Sequence, residues 1–380
     1  MHVLVIPSWY PNSYNNLTGI FFKEQSEALI IDKRIDKVGI IAVTEIGIKN
    51  IIKQKKLDFG FVKEENSNIV TYQYQLPNIL RNKKINDEIK LFFFKKQFYQ
   101  YIRKYRRPDI VHLHSFYHYP LVKWIKEKFN IPYIITEHTT AFARNLLNSY
   151  EEKKAFDAFN NSSKNLAVSK ELGKLLGDKF NKKFEFLPNF IKSIQVNEKK
   201  FDKFTFINVG FLDEKKNQKM LIDAFVKNYK NVNDKQLIIV GDGPLYNDLK
   251  NYLNKNNIKN VIIFGRASRE DIFKLMKKSH VYVHSSKYET FGVVLIEALS
   301  QGLPVVSTKC GGPESIVTDK KVGYLCEIDL DDLSHKIKKV FENYNFFDEK
   351  YIQKFFKQNF SQESVIDKLI NIYEEVINEN

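Results

Sequence analysis

Short apolar runs alternate with amphipathic stretches along the whole chain. Runs of strand length fall at 2–7, 38–43, 109–114, 132–136 and 165–168, and a second series at 204–210, 236–241, 261–265, 280–284 and 303–307. Apolar positions at helical spacing lie between most of them, as in 19–31, 216–229 and 271–278. Strands that are apolar throughout and alternate with amphipathic helices belong to parallel sheets covered on both faces. The rhythm predicts an α/β chain with two Rossmann-like, doubly wound sheets.

The rhythm breaks once. Residues 188–203 have polar spacing and no clear period, so they read as a linker. The expected division is an N-terminal domain over 1–190, a C-terminal domain over 191–360 and a terminal helix over 361–380 that crosses back to the N-terminal domain. Ser361 is the expected N-cap of that helix, ahead of Val365, Leu369, Ile372 and Val376. Two such domains on one linker are expected to leave a cleft between them. In doubly wound sheets ligands bind just beyond the C-terminal strand ends.

Composition narrows the class. Of 380 residues, 43 % are apolar, enough for two cores and too many for a disordered chain. Two cysteines, Cys310 and Cys326, supply neither a disulfide framework nor a metal quartet, which points to a reducing compartment. The opening residues lack the basic start and apolar stretch of a signal peptide, and no run reaches the ~18 uninterrupted apolar residues of a spanning helix. A cytoplasmic protein is expected, soluble or peripheral on the inner face of the membrane.

The net charge is +15, and residues 1–190 carry 31 Lys/Arg against 19 Asp/Glu where 191–380 carry 29 against 26. A field concentrated on the first half favours an anionic partner such as an acidic membrane, a phosphorylated substrate or nucleic acid. Residues 90–107, KLFFFKKQFYQYIRKYRR, combine seven basic residues with an apolar stripe at Leu91, Phe94, Phe98, Tyr101, Ile102 and Tyr105. A basic amphipathic helix of this kind suits an anionic bilayer surface. The stripe also suits packing on the N-terminal sheet, with Phe92, Phe93 and Tyr99 turned outward. Aromatics do interleave with basic residues here, but no recognisable nucleic-acid motif is present, so a nucleic-acid partner is not expected.

The densest chemistry lies in 281–317, VYVHSSKYETFGVVLIEALSQGLPVVSTKCGGPESIV. A strand ends near His284, a loop follows, and a helix begins near Phe291 and Gly292. Glycine lets a ligand approach the backbone, and the first helical turn offers unpaired N–H groups suited to a diphosphate. Glu289 precedes this helix and Glu297 lies about two turns inside it. Either could be an ordinary solvated charge, but Ile296, Ala298 and Leu299 make the surroundings of Glu297 apolar, and a buried carboxylate needs partners.

ETFGVVLIE resembles the E-x7-E element of glycosyltransferase family 4, whose fold is GT-B. The similarity continues through GLPVVST and GGPE, upstream through VGFLDEKKN and VGDGPL, and at the start through IPSWYPN, GIFFKEQ, RPDIVHLH and TEHTT. The resemblance implies a GT-B architecture, an acceptor-binding N-terminal domain and a donor-binding C-terminal one. It implies retaining transfer of a hexose or N-acetylhexosamine from a nucleotide sugar, UDP before GDP, to a glycan or polyprenyl-linked acceptor in cell-surface polysaccharide synthesis. Glu289 would contact the donor sugar, and Phe291, Gly292 and Val293 would present N–H groups to the distal phosphate. Glu297 would hold the ribose, Lys216 would pair with the diphosphate, and His138 would face the transferred sugar. Gly19 would approach the diphosphate, and Gly210 opens the phosphate loop. The family carries an arginine where this chain has Phe211, and Arg266 or Lys215 are the cations that could replace it.

No cofactor and no metal ion is expected. The single Asp-x-Asp, Asp329-Leu330-Asp331, opens a helix and reads as a cap. His112, His114 and His118 form a conceivable metal set, but structural or cleft-lining roles suit their apolar strand better. Glu137 beside His138 could form a base dyad. A membrane-surface binding protein of the same fold and a sugar-nucleotide epimerase or phosphorylase are the competing readings.

Overall fold

In a computed structural model of the protein, residues 1–15, 18–47, 59–66, 68–78 and 82–379 are described; Asn380, the last residue of the expected terminal helix, lies outside them. The chain divides into two compact units, Met1–Ala167 with Gly173–Leu187 and Ile366–Asn380, and Val168–Leu172 with Pro188–Val365.

The first unit holds β1 His2–Pro7, β2 Lys37–Gly47, β3 Gly60–Asn66, β4 Ile69–Asn78, β5 Ile110–His114, β6 Tyr133–Glu137, β7 Lys164–Ala167 and β8 Glu185–Phe186. They form one sheet in the order β3-β4-β2-β1-β5-β6-β7-β8. All pairs are parallel except β3 with β4. Every residue of β1, β5 and β6 is buried, as strands covered on both faces require. β3 is the edge. Its Lys-Glu-Glu-Asn ending is exposed, and such charge discourages a further strand.

The helices of this unit are α1 Ile20–Leu29, α2 Lys83–Lys104, α3 Tyr119–Phe129 and α4 Ser149–Asn161, and α5 Lys170–Phe180 runs across the division. Asn82 caps α2 by accepting from the N–H groups of Lys84 and Ile85 at 3.0 and 3.3 Å. The stripe of α2 packs inward: Phe94, Phe98 and Tyr101 are buried, and the Tyr101 hydroxyl bonds His2 Nε2 at 2.6 Å. A Cβ at Gly39 of β2 would lie 2.2 Å from that hydroxyl, so the ring is seated against bare backbone. Phe92 is 66 % exposed, Tyr99 is 40 % exposed, and Phe93 stacks on Tyr74 at 4.1 Å.

The second unit is a six-stranded parallel sheet of β9 Phe204–Val209, β10 Lys235–Val240, β11 Val261–Gly265, β12 Val281–His284, β13 Val305–Thr308 and β14 Gly323–Cys326. Its order is β11-β10-β9-β12-β13-β14. Helices α6 Gln218–Tyr229, α7 Tyr246–Lys255, α8 Arg269–Lys278, α9 Val293–Ser300, α10 Leu330–Glu342 and α11 Glu349–Phe360 cover it. The side chains of Phe206, Phe225, Leu237, Ile239, Val281 and Val283 fill the core between these layers. α12, Gln362–Glu379, begins in the second unit and continues in the first. Ser361 Oγ accepts from Ser364 N–H at its start, and further on Tyr373 bonds His112 Nδ1 at 2.7 Å while Asp367 pairs with Arg34 at 2.6 Å.

In each sheet the chain winds outward from a central strand and then returns to build on its other side, so the strand order reverses between β1 and β5 and between β9 and β12. A reversal opens a crevice at the C-terminal strand ends, which is where such sheets bind ligands. Among the described residues no helix is long and apolar enough to cross a membrane.

Candidate active site

The crevice of the second sheet collects most of the sequence-derived candidates. β12 ends at His284, and the chain runs through Ser285 and Ser286 to Glu289 before α9 begins at Val293. Gly292 sits at φ +100, and a side chain there would also meet Leu295 Cδ1 at 2.9 Å. The conformation therefore calls for glycine, and a side chain there would also have to displace Leu295. No side chain caps α9; Leu295 N–H donates to Gly292 O at 2.9 Å, and the first N–H groups of a helix are the ones an anion takes. Phe291 is buried against Phe360, with ring centroids 6.0 Å apart, and Val293 is 36 % exposed.

From the other side of the reversal, the loop after β9 brings Gly210, Lys215 and Lys216. Lys216 N–H donates to Asp213 Oδ1 at 2.9 Å, and its carbonyl accepts from Ser285 Oγ at 2.9 Å. Lys287 N–H donates to Lys215 O at 2.8 Å, so the two loops are stitched together by backbone. Gly210 leaves room beside the Lys216 stem, where a Cβ would make an ordinary contact at 3.8 Å. Phe211 is 58 % exposed, and its carbonyl accepts from Gln218 Nε2 at 3.0 Å.

Glu289 is the electrostatic centre of this group. Its side chain is 9 % exposed, and Oε1 accepts hydrogen bonds from Lys216 Nζ and, at 3.1 Å, Ser286 Oγ. Lys215 Nζ lies 3.9 Å from Oε2, and His284 Nε2 lies 3.5 Å from Oε1, at the limit of hydrogen-bonding reach. Burial alone would raise its pKa. The contact with His284 and the Lys216 and Lys215 charges more than reverse that and hold the carboxyl well below the usual carboxylate range. The Gly311-Gly312 loop closes over the backbone here: a Cβ on Gly312 would lie 2.3 Å from Phe291 O, and Glu289 N–H donates to Cys310 O at 2.9 Å.

Two candidates stand apart. Glu297 lies one turn into α9, 13 % exposed, with Arg269 Nε at 3.8 Å. Arg266 is exposed after β11, and among the described residues no hydrogen bond or ion pair ties it to Glu289 or Lys216. Sequence reasoning missed His284, Ser286 and Arg269. The signal for His284 was present, as the polar last residue of an otherwise apolar buried strand.

In the first unit the structure sets His138 at the end of β6, beside the β1/β5 reversal. Its Nε2 bonds His114 Nδ1 at 3.0 Å, its ring meets the edge of Phe22 at 5.3 Å, and its Nδ1 is buried without a partner. Burial pushes its pKa down to about 3, so the ring is neutral at physiological pH. Glu137 does not engage that ring. Its carboxylate accepts from Ser115 Oγ at 2.7 Å and from the N–H groups of His138 at 2.8 Å, Thr139 at 2.9 Å and Phe116 at 3.3 Å. No base dyad forms. Gly19, at φ +69, caps α1, and a Cβ there would lie 2.6 Å from Trp9 O.

Both ring nitrogens of His112 are taken, Nδ1 by Tyr373 and Nε2 by Thr136 Oγ1 at 2.8 Å, and His118 Nδ1 bonds Pro7 O at 2.8 Å. Among the described residues no group of three or more His, Cys, Asp or Glu is placed to hold a metal. Asp329 caps α10, accepting from Asp331 and Asp332 N–H at 2.9 Å.

Two doubly wound units of mainly parallel strands, with a lysine-bound buried carboxylate ahead of an uncapped helix at one switch point, fit the GT-B architecture of glycosyltransferases. Residues 63–193 match Glycosyltransferase Family 4, and residues 189–358 match Glycosyl transferases group 1. An uncharacterized glycosyltransferase of Methanocaldococcus jannaschii is 31 % identical over 70 % of this chain and 75 % of its own length. The chain belongs to glycosyltransferase family 4. A shorter stretch, 37 % of this chain and 37 % of the relative, is 32 % identical to UDP-Gal:alpha-D-GlcNAc-diphosphoundecaprenol alpha-1,3-galactosyltransferase of Escherichia coli. Anabaena HepE in complex with UDP shares the fold, with a TM-score of 0.72 at 16 % identity over 99 % of this chain and 100 % of that one.

Proposed function

We propose that this glycosyltransferase moves a hexose or N-acetylhexosamine, with retention, from a UDP-sugar to a glycan or polyprenyl-linked acceptor in cell-surface polysaccharide synthesis. The carrying observation is the bond between Lys216 and Glu289 directly before the uncapped start of α9. On this reading the diphosphate lies on the N–H groups of Phe291, Gly292 and Val293, with Lys216 on its charge and Gly210 giving it room. Glu289 binds hydroxyls of the transferred sugar, Glu297 binds the ribose, and Arg266 adds a second cation. His138 contacts the sugar, and Gly19 approaches the diphosphate. Residues 1–190 serve the acceptor and 191–360 the donor. The UDP-bound neighbour and the UDP-Gal-using relative with its diphosphoundecaprenol acceptor support the choice of donor and acceptor classes.

In the reaction the bond from the anomeric carbon to the diphosphate oxygen breaks, and negative charge collects on the leaving group. The acceptor oxygen attacks from the same face, and its proton passes to the departing phosphate oxygen. A helix start and Lys216 oppose that charge without a metal ion. Incubation with a panel of nucleotide sugars, with released nucleoside diphosphate as the readout, tests the reading. Turnover is expected with a UDP-sugar and is expected to persist in EDTA. Activity restored only by magnesium or manganese would contradict the metal-independent mechanism, and no release from any donor would favour a binding protein.

A peripheral membrane position is part of the proposal. Phe92 and Tyr99 point out of α2 beside exposed Lys96 and Arg103. Each basic residue near an anionic surface contributes about 1 kcal/mol. Co-sedimentation with phosphatidylglycerol vesicles but not with neutral ones is expected, and equal partitioning would remove the membrane from the account.

A further inference from the structure

His284 ends β12 with its ring turned into the second unit, its side chain 2 % exposed. Tyr282 stands two residues earlier on the same face of the strand and is fully buried. Tyr282 Oη lies 3.2 Å from His284 Nδ1 and 3.3 Å from Val209 O. His284 Nε2 faces Glu289 Oε1 at 3.5 Å, long for an N–H···O bond, and among the described residues no other polar group bonds that buried nitrogen.

Burial lowers the pKa of His284, so its ring is neutral at physiological pH and carries one proton. The proton has two placements. On Nδ1 it is donated to Tyr282, which donates in turn to Val209 O, and Nε2 then turns a lone pair toward an ionised carboxylate. On Nε2 it points at Glu289, and Tyr282 donates to Nδ1. A buried lone pair facing a carboxylate is both unpaired and repelled, so the second placement is the stable one. Tyr282, with a single proton to give, fixes that tautomer.

The N–H is held off at 3.5 Å because Oε1 is already full. A carboxylate oxygen offers about two acceptor sites, and Lys216 Nζ and Ser286 Oγ take them. A diphosphate that draws Lys216 away opens one of the two. Ser286 alone would then hold a carboxylate that is 9 % exposed, and a buried charge short of partners is costly. Lys215 does not fill the gap, since its Nζ stands 3.9 Å from the other oxygen, Oε2.

We propose that His284 is a positioning residue for donor binding: as Lys216 passes to the diphosphate, the His284 N–H closes onto Glu289 Oε1 and keeps the carboxylate paired and aimed. The assignment rests on the reading of this crevice as the donor site. It lets one lysine serve both the carboxylate of the free protein and the ligand of the bound one. The loops need not shift, because Ser285 Oγ holds Lys216 O at 2.9 Å and Lys287 N–H holds Lys215 O at 2.8 Å, bonds in which the Lys216 ammonium has no part.

The test is a double-mutant cycle in UDP affinity, measured by calorimetry on the full chain. His284→Leu fills the buried site without a donor and is expected to weaken UDP binding roughly tenfold, the worth of one hydrogen bond to a charged group. His284→Gln, which keeps an N–H near the place of Nε2, is expected to recover most of that loss. In Lys216→Ala the histidine already holds Glu289 in the free protein, so adding His284→Leu is expected to change UDP affinity by less than about twofold. Equal losses in both backgrounds would show that His284 only supports the fold of the loop and would overturn the inference, as would a His284→Leu chain that binds UDP like the wild type. The proton itself is read without any ligand by NMR of chain carrying nitrogen-15 histidine, the His284 signal being the one missing from His284→Gln. Nε2 is expected to carry the proton in the free wild type, and that proton is expected to move downfield in Lys216→Ala as the bond to Glu289 shortens. A ring protonated on Nδ1, or an unmoved proton in Lys216→Ala, overturns the inference. If the wild-type chain binds no UDP, the donor reading falls, and the NMR comparison alone decides whether His284 takes over from Lys216.

Discussion

Glu289 and Lys216 are bonded to each other, and this constrains what each can do for a donor. A diphosphate that takes Lys216 must compete with the carboxylate for the same ammonium. Glu289→Gln removes the competing charge. UDP affinity is then expected to hold or to rise slightly, while transfer falls by roughly a hundredfold, because a charge-assisted hydrogen bond to the sugar is lost. A titration in which UDP affinity falls along with turnover would make Glu289 a phosphate-site residue. Lys216→Ala is expected to weaken UDP binding by about tenfold to a hundredfold, the effect of one charged hydrogen bond. Phe211 brings no charge to share that load, so a loss under threefold would show that Lys215 or Arg266 carries it. The bond itself could not be read from the sequence. It joins residues 73 positions apart, and neither VGFLDEKKN nor ETFGVVLIE contains any sign of the other. The same is true of His114 with His138, which share a bond only because β5 and β6 lie side by side.

At the scale of elements the α9 start was legible, because a glycine after an apolar strand and before an apolar helix has few other uses. Gly292→Ala tests its geometry. A non-glycine residue at φ +100 costs about 1–3 kcal/mol, and the Leu295 side chain must move as well. The variant is expected to melt several degrees lower, at roughly 2–4 °C for each kcal/mol in a unit of this size, and to bind UDP more weakly. An unchanged melting temperature would mean that the loop adopts another path. The expected strands were placed within two residues at most ends because fully buried parallel strands are continuous apolar runs. β3, β4, β8 and β14 were not among them. β3 pairs antiparallel at the edge, and its solvated face removes the apolar run that marks the others. β2 continues to Gly47, past its apolar run, because β4 pairs with it along that whole length. The amphipathic stripe of α2 admitted two partners, and the Tyr101 bond to His2 over Gly39 is what commits it to the sheet.

The whole molecule has an acid liability concentrated in one unit. Burial lowers the pKa of His2 to about 4 and of His112 and His138 to about 3, and it holds His114 and His118 well below the ordinary imidazole value. All five belong to the first unit, whereas His280, lowered to about 4, and His284 belong to the second. In the unfolded chain each histidine titrates near 6.5. Between that value and the folded pKa the unfolded state binds the extra proton, so stability is full above about pH 6.5 and falls as the pH drops. Each fully buried histidine contributes a slope on the order of 1.4 kcal/mol per pH unit in that window. Glu137 acts in the opposite sense. Burial raises its pKa, so the folded state takes up its proton first, and this offsets part of the loss at the acid end. Five histidines outweigh that one carboxylate. Denaturant unfolding from pH 7.5 to 4.5 is therefore expected to show a steep loss of stability beginning near pH 6.5. Hydrogen exchange at pH 5 is expected to lose protection first in β1, β5 and β6, before β9 and β12. Uniform loss across both units would contradict this, because the second sheet carries too few buried histidines to respond equally. Buffers for the donor titrations follow from the same sign: the assays belong above pH 6.5, where the first unit keeps its full stability.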